Sequence, residues 1–153
     1  MRAKNSSNIL IQSMFGICFG AISFWLIGYG VAFGKFRKSD LIGINTAFYA
    51  TSGLEDLEED FYIQFIFQLS FVSTCSTIVS GSLAERTKLI PYIGFSFIFT
   101  ALIYPLVVSW TWGGGWLAQR GFKDFAGSGV VHMVGGTASF CSAYIVGPRY
   151  GYG

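Results

Sequence analysis

Residues 89 to 119 read LIPYIGFSFIFTALIYPLVVSWTWGGGWLAQ, and between Lys88 and Arg120 no side chain in this run carries a charge. A bilayer core is crossed by roughly 20 predominantly apolar residues at about 1.5 Å per helical residue, so the run is long enough to span one. In hydrocarbon every backbone N–H and C=O has to be paired internally, which makes a helix the expected form. Three more stretches, 5 to 34, 61 to 84 and 125 to 148, are uncharged in the same way. Working outward from the first run, we expect helical spans near 9–33, 61–84, 89–112 and 126–146. The breaks between them are chemically plausible: Gly34-Lys-Phe-Arg-Lys38, Glu85-Arg-Thr-Lys88, Gly113-Gly-Gly115 and Gly147-Pro-Arg149.

The composition agrees with an all-α integral membrane protein. Of the 153 residues, 52% are hydrophobic and 12% charged, against about a quarter charged in ordinary soluble chains. Mean hydropathy is +0.54. A further uncharged stretch, Leu41 to Leu54, is too short to span and reads as a surface loop or short interfacial helix. No long linker, low-complexity tract or internal repeat divides the chain, so residues 1–153 are read as one domain. The apolar run after Met1-Arg-Ala-Lys4 is longer than the core of a signal peptide and lacks a small-residue cleavage site, so it is expected to be a retained first span. Cys18, Cys75 and Cys141 fall in three different spans and read as small hydrophobes, with no spacing for a disulfide or a metal centre.

Four spans put both chain ends on one side of the bilayer. Basic residues do not choose the side: Arg2, Lys4, Arg86, Lys88 and Arg149 face Lys35, Arg37, Lys38, Arg120 and Lys123 across it. The acids are lopsided, with Glu85 alone on the first side and Asp40, Glu55, Asp56, Glu58, Glu59, Asp60 and Asp124 on the second, which hints that the second side faces outward. The acidic run at 55–60 can concentrate cations by its field, although a solvated loop explains it more simply.

Several residues within or beside the spans have both a functional and a plain reading. His132 is the one histidine, eight residues past Asp124 and so about 12 Å deeper along a helix. An ionisable group at that depth marks a pathway or a relay, or else a hydrogen-bonded packing contact. Ser128, Gly129, Gly135, Gly136 and Ser139 share its face at helical spacing. Phe67 and Phe71 stand four residues apart and so share a face of their helix. Trp110, Trp112 and Trp116 form either an interfacial belt or an aromatic cage for a small cation. Asp124 is placed to cap the helix after it. Gly16 and Gly20 allow close helix packing. Motifs of soluble enzymes are absent and there is no basic patch, so neither an enzyme, with catalytic residues, metal or cofactor, nor a nucleic-acid partner is expected.

Four segments taken together, Phe67-Gln-Leu-Ser-Phe71, Gly81-Ser-Leu-Ala-Glu-Arg86, Trp112-Gly-Gly-Gly-Trp116 and Asp124-Phe-Ala-Gly-Ser-Gly-Val-Val-His132-Met-Val-Gly-Gly136, closely resemble the Amt/Mep/Rh ammonium transporter family on its Amt side. The resemblance implies an eleven-helix fold of two inverted five-helix halves, assembled as a homotrimer in the plasma membrane, of which this chain resembles helices two to five. It implies that Phe71 and Trp112 help form an outer ammonium site, that Phe67 matches a gate below it, and that His132 matches the first of two stacked pore histidines. Asp124 matches an acid that supports the site structurally. The implied activity is ammonium transport: ammonium is recruited at the aromatic site, and ammonia passes along a histidine-lined pore. A histidine there can exchange a proton and orient the passing base. By the same resemblance the chain is either a segment of a complete transporter or a short membrane polypeptide that associates with full-length transporters without transporting.

Overall fold

The computed structural model describes residues 3–34, 49–50, 60–149 and 151. The expected loop at 41–54, Tyr49 and Ala50 apart, and the acidic run at 55–60, apart from the helical backbone of Asp60, lie outside the described residues. Among those residues there is no strand, and four helices are long and apolar enough to cross a bilayer. They are α1 (Ser6–Phe33), α2 (Asp60–Leu83), α3 (Leu89–Trp110) and, after the one-turn α4 (Trp116–Gln119), α5 (Ser128–Val146). The expectation of an all-α membrane chain with four spans is met, with shifted ends. Helix α3 stops at Trp110 because Thr111 leaves helical geometry at φ −114° and ψ −88°, so Trp112 stands beyond the helix. Helix α5 begins at Ser128 because Gly127 takes the left-handed conformation, at φ +80°.

Beside an apolar core the bundle buries small polar side chains and exposes large apolar ones. Gln12, Ser23, Ser76, Ser80, Ser96, Thr100 and Ser109 are buried, while Leu10, Met14, Ile63, Ile66, Ile90, Phe140, Tyr144 and Ile145 lie outside. Where the surrounding solvent is hydrocarbon, burying apolar groups gives little drive, and helices associate through close packing and interhelical hydrogen bonds instead. Both are present between α1 and α3. The Ser23 and Thr100 hydroxyls share a hydrogen bond at 2.5 Å, and Ser96 Oγ donates to Gly16 O at 3.3 Å. A methyl on Gly16 would stand 2.5 Å from the buried Tyr92 hydroxyl, and one on Gly28 would lie 2.6 Å from the Thr100 carbonyl oxygen. The close approach expected of Gly16 and Gly20 is therefore made to α3. Helices α2 and α5 run parallel and pack along each other, with α1 against both α2 and α3.

Three of these helices contain π-helical segments, Phe24–Gly28 in α1, Phe99–Ile103 in α3 and Ser128–Met133 in α5. Hydropathy carries no signal for them. At the opposite end of the bundle from Trp112, Glu85 joins three helices. Its carboxylate accepts from Asn5 Nδ2 at 3.0 Å and pairs with Arg149 at 3.0 Å. Arg86 next to it donates to Gly147 O at 3.2 Å and Ala143 O at 3.4 Å, closing the end of α5. Glu85 has φ +62°, uncommon for a residue with a side chain. The anchored carboxylate gives that turn a structural reason.

Candidate functional site

The site is built around one carboxylate. Asp124 Oδ1 accepts from the backbone N–H of Gly127 at 3.0 Å and Ser128 at 2.9 Å, and Oδ2 from Gly129 and Val130 at 2.8 Å each. The first N–H groups of a helix have no partner within it. A single side chain here supplies partners for that whole first turn, and its negative charge sits at the positive end of the helix dipole. Asp124 does so from three residues before the Gly127 cap position, because the left-handed Gly127 folds the chain back over it. The same loop fixes an aromatic ring: Trp112 Nε1 donates to the Asp124 carbonyl oxygen at 2.6 Å.

Trp112 so held packs against Phe71, with ring centroids 5.2 Å apart and planes tilted by 56°. Phe71 in turn meets Phe67 edge-on at 4.9 Å. Phe67 is 59% exposed, whereas Phe71 and Trp112 are partly covered and packed on the core. The three tryptophans do not form one cage. Trp110 and Trp116 pair with each other at 6.1 Å, with Arg120 5.3 Å from the Trp116 ring centre, an arrangement suited to an interfacial belt. Trp112 alone joins the phenylalanines.

Depth along the bundle follows from the parallel course of α2 and α5. Phe71 lies level with Trp112, Cys75 one turn further on meets Val131, and His132 is next to Val131. Phe67 is one turn back toward the start of α2, so it stands on the far side of Phe71 from His132. The expectation that Phe67 lies below the aromatic pair is corrected: the direction of α2 places it on the side of Phe71 away from His132.

His132 lies in the π segment of α5 and is exposed on the surface of this chain. Its Nδ1 is 3.3 Å from Gly127 O. The small face expected around it is split, since Gly135 is buried and Ser139 Oγ donates to Ile78 O at 3.2 Å, both against α2, while Ser128 and Gly136 stay exposed with the histidine. The wider π turn changes the register, so spacing rules for an α-helix do not carry across it. Among the described residues no group of His, Cys, Asp and Glu is placed to hold a metal.

The comparisons with known proteins extend over this whole arrangement. The family model described as Ammonium Transporter Family matches residues 1–153. The chain is 37% identical over 160 residues to a putative ammonium transporter 1 of Caenorhabditis elegans, covering 99% of this chain and 29% of that protein. It is 39% identical over 162 residues to ammonium transporter 1 member 2 of Arabidopsis thaliana, covering 99% and 31%. A solved structure named Sensor Amt Protein superposes with a TM-score of 0.89 at 36% identity, over 97% of this chain and 38% of that one. The chain spans about a third of the length of these curated relatives.

Proposed function

The chain belongs to the ammonium transporter family, and from that premise we propose that it forms one wall of an ammonium pathway, with ammonium recruited at Phe71 and Trp112 and ammonia passed inward along His132. The supporting observation is the ring pair at 5.2 Å, with Trp112 pinned to the loop that Asp124 organises and His132 Nδ1 3.3 Å from the carbonyl oxygen of Gly127 in the same loop. Ring faces attract an ammonium ion by about 0.5 to 2 kcal/mol, and the imidazole beyond them can take part in proton exchange. Phe67 stands at the mouth. Asp124 acts as support, because both its oxygens are occupied by backbone N–H groups. In this reading the complete protein is a homotrimer of the plasma membrane.

In a complete transporter carrying this segment, Trp112→Leu should lower selection of ammonium over sodium by about 2- to 30-fold, the equivalent of that ring-face energy. Trp112→Phe should keep part of the selection. Equal uptake ratios for the two variants would assign Trp112 to the interfacial belt instead.

Both chain ends are proposed to be cytoplasmic. Single cysteines at Ser39 and Gln119, in a background with Cys18, Cys75 and Cys141 changed to serine, should react with a membrane-impermeant thiol reagent on intact cells. Reaction at a cysteine replacing Ser6, and not at those two, would reverse the topology.

A further inference from the structure

The π turn that carries His132 is held from outside its own helix. The Gly127 carbonyl oxygen accepts from both Val131 N at 2.9 Å and His132 N at 3.0 Å, the point at which i+4 bonding widens to i+5. Inside this turn Val131 O, which accepts from Val134 N–H of its own helix, also accepts from α2: the Cys75 thiol, fully buried, lies 3.1 Å away. Two further contacts keep the helices in register. A side chain at Gly135 would place its first carbon 3.1 Å from Ile78 Cβ and 3.2 Å from Cys75 O, tighter than ordinary contact, so a larger residue there would push the two helices apart by a few tenths of an ångström. One turn beyond, Ser139 Oγ donates to Ile78 O at 3.2 Å.

Losing the extra residue of a π turn rotates the part of the helix before it by about 100° relative to the part after it, since an α-helix turns once per 3.6 residues. Gly135 and Ser139 fix the later part of α5 on α2, and Asp124 fixes its start. The state of the turn between them therefore decides whether the imidazole stands clear of α2 or is turned toward a neighbouring helix. We propose that the α2–α5 seam of Cys75, Gly135 and Ser139 positions His132, with Cys75 a positioning residue that acts through the Val131 carbonyl. Its significance for transport rests on the reading of His132 as a pathway residue; its structural content does not.

The test uses the chain's one histidine. With ring-labelled histidine, the 153-residue chain in lipid nanodiscs gives a single imidazole spin system by NMR. Cys75→Ser keeps a donor, Cys75→Val fills the space without one, and Val79→Ala opens a cavity one turn along the same helix at a fully buried position. The His132 ring signals should overlay the wild type in Cys75→Ser and Val79→Ala, and should shift or split in Cys75→Val. In a complete transporter carrying the segment, Cys75→Val should lower the maximal rate on the order of tenfold, as small misplacements of a working group do, with KM for ammonium unchanged and Cys75→Ser restoring the rate. Ring signals unmoved in Cys75→Val would overturn the proposal. So would signals moved equally in Cys75→Ser or Val79→Ala, since the effect would then be packing alone. The expected NMR pattern together with no transport in any variant, wild type included, would uphold the seam and overturn the transport reading.

Discussion

Asp124→Asn is expected to be as damaging as Asp124→Ala, both unfolding the start of α5 and abolishing transport in a complete transporter that carries this segment. The carboxylate accepts four backbone N–H groups, two on each oxygen. Alanine removes all four acceptors and the charge at the helix start, a loss of about 2 to 4 kcal/mol when cap and charge-assisted hydrogen bonds are taken together. Asparagine keeps one oxygen for two of the donors but turns an NH2 group toward the other two, so donors face donors. Near-isosteric shape does not rescue it. The damage spreads because the Trp112 indole hangs from the carbonyl of the same residue, and a displaced Trp112 no longer packs against Phe71. Thermal unfolding in detergent, with ammonium uptake measured alongside, decides the matter. An Asp124→Asn variant with wild-type melting and uptake would mean that the capping geometry does not hold the site.

The spans are legible in the sequence because an unpaired charge in hydrocarbon is costly, so the uncharged runs and the helices nearly coincide. The ends are less legible. Trp112 is as apolar as the residues before it, and no hydropathy argument stops α3 at Trp110; the stop comes from the backbone turn at Thr111 and from Gly113 N and Gly115 N bonding back to Val108 O and Ser109 O. Asp124 is legible as a cap by its type and place, but its reach over the first turn depends on the left-handed Gly127, which pattern alone does not reveal. The face around His132 is not legible, because α-helical spacing fails across a π turn. Cys75 reads as a small hydrophobe, and nothing in the sequence pairs its thiol with a carbonyl 56 residues away. Resemblance puts Phe67 below the aromatic pair, and only the direction of α2 relative to α5 corrects it. In the sequence Glu85 and Arg149 stand in breaks between spans and as charges bearing on orientation, and nothing there pairs them, whereas the fold uses them as a pair that ties chain segments together.

The second large effect concerns the 153-residue polypeptide expressed alone, which is expected to insert into membranes and yet not support growth of cells that lack their own ammonium transporters at limiting ammonium. A conducting path needs walls on all sides that exclude lipid and supply the polar groups a small cation or base requires. Here the residues proposed to line the path lie open. His132 is exposed and Phe67 is 59% exposed. Helix α5 has the lowest buried share of the four spans, 17% of its most apolar stretch against 28% to 44% for the others. Between α3 and α5 an apolar groove of about 640 Å³ runs past Phe95, Val107, Met133 and Ala138. Lipid chains can fill such a groove, but lipid against the exposed His132 cannot offer the imidazole a polar partner. In transporters built from inverted repeats the pathway lies between the repeats, so the faces contributed by one repeat acquire a function only against the other. Growth is the readout, with surface expression measured in parallel so that failure to insert is not taken for failure to conduct. Rescue by the chain alone, lost on His132→Ala at equal expression, would show that copies of this chain close the pathway by themselves. The one-wall reading would then be wrong.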